Sequence, residues 1–255
     1  MRSFPGRLLP AGAAAAALAA LLLHPASARA GEFRVSPIRV DLAGGAKGGA
    51  VVNVINEGDE PISFQIRAME WTQDAAGKDV YAETADLVFF PQLLTTAGRE
   101  KKVVRVGTKS PPPPREKSYR LFIEEIPRRD DAAGAAVRIA VRFGVPVFLL
   151  PVVARKEGVL EEARVERGTL VTLIRNTGSV HLQVLELEAV GKDAAGAEVF
   201  REKPAGWYVL VGAAREQRVA IPAEVCGRIR TLSVTARAEE VTLTRELTAG
   251  EGWCP

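Results

Sequence analysis

Catalysis and metal binding both depend on a short list of side chains, and this 255-residue chain is poor in them. It has two histidines, His24 and His181, and two cysteines, Cys226 and Cys254. His24 falls in an N-terminal apolar run that reads as a leader, so a nucleophile–base pair or an imidazole ligand set would have to be built on His181 alone. His181 opens the alternating run "HLQVLELEAVG" just after a turn, a place that predicts a half-exposed structural imidazole. HExxH, Walker and GxGxxG patterns are absent from the sequence. The adjacent acids Glu124–Glu125 and Glu239–Glu240 lie in strand-like runs, where neighbours point to opposite faces and make poor acid/base couples. The residue inventory argues against an enzyme and predicts neither a cofactor nor a metal.

The compartment follows from the first thirty residues. Arg2 and Arg7 precede an alanine- and leucine-rich run from Leu8 to Leu23, and Ala28 and Ala30 give the small-x-small spacing of a signal-peptidase site. Residues 1–30 therefore read as a signal peptide cleaved before Gly31. A retained anchor is the alternative, but the run is short for a span of about 20 residues. No later segment is apolar and long enough to cross a bilayer, so no stable membrane insertion is expected. The leader also carries Arg2, Arg7 and Arg29 without an acid, which accounts for the whole formal charge of +3. The balanced remainder has no basic excess with which to bind nucleic acid. In an oxidising compartment Cys226 and Cys254, 28 residues apart, read most simply as a disulfide. The alternative, a redox or metal-binding thiol, lacks a CxxC or a histidine cluster.

The elements that would position any site are β-strands. "AVVNVINEG", "ISFQIRAMEW", "KKVVRVG", "SYRLFIEEIP", "TLVTLIRNTG" and "RTLSVTARAEEVTLTREL" are short alternating runs punctuated by Gly, Pro, Asn and Asp, the texture of antiparallel sandwiches. An echo between "VINEG" (Val54–Gly58) and "IRNTG" (Ile174–Gly178) suggests two similar halves. The run "PVVARKEG" suits a linker, which divides the chain into residues 31–154 and 155–255. One stretch poses a question of its own. In "AAVRIAVRFGVPVFLLP" (Ala135–Pro151), Val137, Ile139, Val141 and Phe143 alternate with Arg138, Ala140 and Arg142, after which Gly144 and Pro146 interrupt the pattern. Such a strand either packs on its own core or, at a sheet edge, is offered to a partner.

Four segments make the chain resemble the PapD-like periplasmic pilus chaperones of chaperone–usher assembly. "FRVSPIRVDL" resembles the family's first strand with its arginine, here Arg39. "REKSYRLFIEEIP" resembles the strand ending in Glu-Ile-Pro, here Glu125, Ile126 and Pro127. "VRIAVRFGVPVFLLP" resembles the next strand and its closing proline, Pro151. The intervening segment from Trp71 to Gly107 resembles the archaic branch.

This resemblance implies an all-β protein of two immunoglobulin-like β-sandwich domains in an L shape, a fold and a strand-addition mode for which PapD-type chaperones are themselves standard examples. It implies a periplasmic chaperone that lends a strand to pilus or fimbrial subunits and delivers them to an outer-membrane usher. The carried-over donor residues are Val137, Ile139, Val141 and Phe143. Free chaperone would be expected to cap its own exposed strand by self-association. In the family a subunit's terminal carboxylate is held by two cations, the first-strand arginine and a lysine on the donor strand. Arg39 fills the first role, but the lysine's place is occupied by Pro146. Arg120, in "SYRLF", is the expected substitute because a guanidinium can take a carboxylate through two parallel hydrogen bonds. Glu116 matches an acid of an internal salt bridge whose usual arginine partner falls at Leu150. The alternative function is a structural subunit or adhesin of a surface fibre, since sandwiches host many functions.

Overall fold

The structure is a computed structural model and describes residues 32–43, 49–127 and 140–254. The expected leader, residues 1–30, lies outside them, as do the donor positions Val137 and Ile139.

Two sandwiches account for the described residues, each with its own apolar core. In the first, β1 (Phe33–Ser36), β3 (Gly49–Asn56), β8 (Lys101–Thr108) and β6 (Leu87–Phe90) form one sheet in the order β1-β3-β8-β6. The facing sheet runs β2 (Val40–Leu42), β10 (Arg142–Leu149), β9 (Lys117–Ile126), β4 (Ile62–Gln73) and β5 (Asp79–Glu83), with β7 (Leu93–Thr96) sharing the outer edge of β4. Alternation selects the inward side chains. Val52 and Val54 from β3, Val104 and Val106 from β8, and Tyr119, Leu121 and Ile123 from β9 close the core against Phe64, Ile66, Val145 and Val147.

The second sandwich repeats the plan. One sheet holds β11 (Gly158–Glu166), β12 (Thr169–Asn176) and β16 (Ala214–Ala220). The other runs β14 (Glu198–Glu202), β13 (Leu182–Lys192), β17 (Thr231–Ala238) and β18 (Thr242–Thr248), with β15 (Tyr208–Val209) beside β13. The short helix α1 (Ala223–Cys226) carries one half of the Cys226–Cys254 disulfide, so the expected pairing is made.

The echo in the sequence is one structural device used twice. Asn56 ends β3 and Asn176 ends β12, and both are buried. Each side-chain oxygen accepts the N–H of the glycine two residues on, Gly58 at 3.0 Å and Gly178 at 2.9 Å. Each amide nitrogen then donates to the carbonyl four residues on and to one from a distant segment: Glu60 and Ala97 for Asn56, Val180 and Val209 for Asn176. A second repeat lies in two of the hairpins. "DAAG" at 74–77 and at 193–196 turns two hairpins, and in each the aspartate accepts backbone N–H groups two and four residues on.

Gly144 and Pro146 do not interrupt β10, contrary to the sequence pattern. The N–H of Glu125 donates to the carbonyl of Val141, which fixes the alternation along the pair. Odd residues of β10 bond to β9, and Arg142, Gly144 and Pro146 turn their backbone groups to the opposite edge. The N–H that proline lacks is thus missing on the edge side, where it breaks no ladder within the chain. β2 covers that edge only from Val147 onward, pairing Val40 with Val147.

Replacing Asn176 by Ala would strand two buried carbonyls and one glycine N–H. Urea unfolding should register a loss of about 3 kcal/mol; an unchanged midpoint would mean the side chain does not hold these strands together.

Candidate functional site

Pro146 marks the level at which the chemistry gathers. Its cross-strand neighbour on β9 is Arg120. On the other side Arg39 immediately precedes β2, and the Val40–Val147 pairing continued back by one residue brings Arg39 level with Pro146. Pro146 is thus flanked by two arginines, one per neighbouring strand.

Arg120 is a buried cation, 6% exposed. Its guanidinium lies over the Trp71 ring at 3.8 Å, with Trp207 at 5.5 Å and Tyr208 at 5.8 Å. One terminal nitrogen, Nη1, donates to the carbonyl of Gly144 at 3.0 Å. The remaining edge, Nε and Nη2, is buried and has no hydrogen-bond partner among the described residues. Those two nitrogens carry parallel N–H bonds, the fork that accepts a carboxylate side-on. Three aromatic faces stabilise the charge without using these donors.

Arg39 is differently placed. It donates to Glu239 at 2.7 Å and to Gln183 at 3.3 Å, and lies 3.5 Å from Asp41. Burial opposes its charge, but Glu239 and Asp41 outweigh that and hold its pKa above the ordinary arginine value. Burial likewise works against the Glu239 carboxylate, and Arg39 and Lys156 overcome it to keep the acid below its usual range. Of the two cations, Arg39 already has its counter-charges.

The donor residues are only partly in view. Val141 is half-buried and continues the pairing with β9 through its carbonyl. Phe143 packs its ring against the protein's own first core. Pro127 follows the end of β9 and is exposed, whereas Pro151 is buried one residue after Leu150, whose N–H donates to Leu42.

The expectation for His181 fails. The residue is 5% exposed, not half-exposed, because Phe148 stacks on its ring at 3.7 Å and Tyr208 lies 5.4 Å away. Its Nδ1 meets both oxygens of Glu116, at 2.9 and 3.0 Å, and its backbone N–H donates to the same carboxylate at 3.1 Å. Glu116 therefore has a partner, His181, and it is not at Leu150, where the resemblance looked for one. The partner comes from the other sandwich, which no spacing in the sequence could reveal.

Around this pair the two sandwiches are held together closely. Gln73 donates to the Tyr208 carbonyl and accepts from the Leu210 N–H, both at 2.9 Å. Trp207 donates to Asp79 at 3.1 Å, and Arg215 donates to the carbonyl of Gly77 at 2.9 Å. Gly77 has φ +73°, and a Cβ there would come within 2.8 Å of the Ala214 carbonyl, so only glycine fits this approach. Trp71, Phe148, Tyr208 and Leu210 form a third apolar cluster across the seam. Among the described residues no group of three or more His, Cys, Asp or Glu is placed to hold a metal.

Comparison with known proteins agrees with this arrangement. Residues 32–154 match the family model described as the pili and flagellar-assembly chaperone, PapD N-terminal domain. The chain is similar in structure to one from the CsuC–CsuE chaperone–tip adhesion subunit pre-assembly complex of the archaic chaperone–usher Csu pili of Acinetobacter baumannii. That match has 19% identity and TM-score 0.59, and covers 83% of this chain and 97% of the other. It is similar as well to a chain of the Salmonella enterica SafA pilin–SafB chaperone complex, at 13% identity, TM-score 0.53 and coverage of 86% and 98%. A third likeness is to the Pseudomonas aeruginosa CupB2 chaperone, at 15% identity, TM-score 0.51 and coverage of 85% and 100%. No curated protein matches the sequence.

Removing either member of the Glu116–His181 pair leaves a polar group stranded in the seam. Glu116→Ala and His181→Ala should each cost about 3 kcal/mol in urea unfolding. The double variant should cost less than the two together by about 2 kcal/mol; strict additivity would show that the two residues are not coupled.

Proposed function

We propose that this chain, which belongs through residues 32–154 to the PapD-type pili and flagellar-assembly chaperones, captures subunits of a surface fibre in the periplasm and hands them to an outer-membrane usher. The role is one of binding, with no catalytic step and no cofactor. The boundary between the domains is placed near Ala154, and the likeness to a chain of the Csu complex supports the archaic branch.

The observation that carries the reading is the Nε–Nη2 edge of Arg120, unpartnered among the described residues, beside a strand edge that no described strand covers. Arg142 and Gly144 present backbone groups to that edge, Pro146 has no N–H to offer, and from Val147 onward β2 fills the edge. An incoming strand can therefore pair only on the N-terminal side of Pro146. A subunit strand running parallel to β10 would end there, with its terminal carboxylate beside Arg120. Its groove would take side chains from the donor face, Val137, Ile139 and Val141, with Phe143 at the inner end. Arg39 would add positive potential from the far side of Pro146, its own hydrogen bonds remaining with Glu239 and Gln183. An apolar edge left open also favours self-association of the free protein.

Co-expression of the chain with candidate secreted, β-rich subunits should give a stable one-to-one complex on size-exclusion chromatography. Arg120→Ala should reduce its yield at least about ten-fold while the free protein keeps its far-ultraviolet circular dichroism spectrum. An undiminished complex would remove Arg120 from the site.

A further inference from the structure

The sheet of β1, β3, β8 and β6 has an outward face that carries bases and no acid. Cross-strand pairing sets Arg105 between Val51 and Phe90, and Gly107 between Gly49 and Val88. In the other direction Val103 pairs with Asn53, and Lys101 with Ile55. These residues point outward because the intervening Val52, Val54, Val104 and Val106 line the core. β1 adds Arg34 and Ser36 to the same face. The acids at its margins are taken: Glu57 by Arg34, Glu100 by Lys102, and Asp86 by Lys117 and Tyr119. Lys101, Arg105 and Lys109 are exposed and have no ion-pair partner among the described residues.

The same face shows apolar side chains to water. Phe90 is 73% exposed and Val88 52%, and Val51 and Val103 are exposed beside them. The surface is low where Gly49 and Gly107 meet, and a groove of about 380 Å³ runs there between Phe90, Val88, Arg105 and Lys109. With 34 bases to 31 acids the chain is nearly balanced, so this face reflects segregation of charge and not general basicity. A second copy docked through it would set cations against cations. Strand addition at β6 has little to pair with, because that edge is four residues long and runs into Pro91, which has no N–H. Lys101 opens β8 and Lys109 follows its end, so the cations bracket the apolar residues over about 25 Å. Long basic stems around a protruding phenylalanine suit a flat anionic surface with an apolar interior.

We propose that the outward face of β3, β8 and β6 docks on an anionic lipid bilayer. Lys101, Arg105 and Lys109 meet the headgroup phosphates, and Phe90 and Val88 enter between the lipids. The inference rests on the periplasmic placement given above, which puts the chain beside membranes. β10 and Arg120 belong to the other sheet of this sandwich, across the core, so a docked chain keeps its β10 edge free.

The test is flotation of the mature chain with vesicles of phosphatidylcholine alone or of equal parts phosphatidylcholine and phosphatidylglycerol. Binding should be at least about ten-fold stronger to the anionic vesicles and be lost in high salt. Replacing both Lys101 and Arg105 by Gln should weaken it about 25-fold, roughly five-fold per charge. Phe90→Ser and Val88→Ser should each weaken it several-fold, roughly ten-fold for the larger ring. Both residues are exposed, so thermal melts should stay within a few degrees of wild type. Equal binding to the two kinds of vesicle, or binding to neither, would overturn the proposal. Capture of the chain by polyglutamate beads without vesicle binding would assign the face to an acidic protein instead. A dimer in sedimentation velocity that Phe90→Ser makes monomeric would assign it to a second copy. Arg120→Ala should leave vesicle binding intact while it lowers the yield of the subunit complex. Vesicle binding by a chain that captures no subunit would leave the membrane face standing and remove the chaperone reading.

Discussion

A guanidinium buried on Trp71 with two of its nitrogens unpaired among the described residues is costly, and much of the surrounding structure serves to keep it there. A charge removed from water is tolerated only when its environment compensates it. Here the compensation comes from aromatic faces and one backbone carbonyl, not from a carboxylate of the same chain. That choice leaves the strongest interaction the guanidinium can make, a bidentate bond to an anion, available to something else. Arg142 is a useful contrast on the same face. It stacks on Phe122 at 3.7 Å but is also bonded to Glu124 at 2.7 Å, and so offers no free fork.

Holding Arg120 in place requires the two sandwiches to be docked, because its aromatic surroundings come from both. The hairpin of β4 and β5 does most of this. Gln73, Gly77 and Asp79, within seven residues, bond to Tyr208, Leu210, Arg215 and Trp207. The Glu116–His181 pair closes the other side of Phe148, whose ring stacks on the imidazole and stands 6.0 Å from Trp71. A change at either contact would be felt at the guanidinium through two packed rings. The seam therefore holds the guanidinium as well as the fold.

The strands and the shape of the core were legible in the sequence because both follow from a period of two. Tyr119, Leu121 and Ile123 alternate with Arg120, Phe122 and Glu124, and the structure sorts them as the pattern requires. The Asn-x-Gly echo was legible because one buried asparagine can satisfy three backbone groups only in that local geometry. The "DAAG" repeat carried an equally local signal, an Asx turn repeated 119 residues on, and could have been found by the same comparison. What was not legible depends on the other sandwich. His181 looked half-exposed because nothing near it in sequence tells of Phe148 and Glu116. Arg39 looked like a free cation because Glu239 is 200 residues away.

Pro146 gathers these points into one physical statement about how such a site can change. A lysine on the donor strand would travel with that strand whenever the strand shifted along the sheet. Arg120 sits instead on β9, which is paired along its length with β4 on one side and β10 on the other. An anchor on that interior strand stays fixed relative to the cores. β10 is then free of that charge, and side-chain alternation would let it shift only in steps of two residues without reversing its faces. Proline suits the vacated position, because it ends the edge ladder at the level where β2 is about to take over. A charge held one strand inward of Pro146 leaves the edge of β10 to backbone pairing alone.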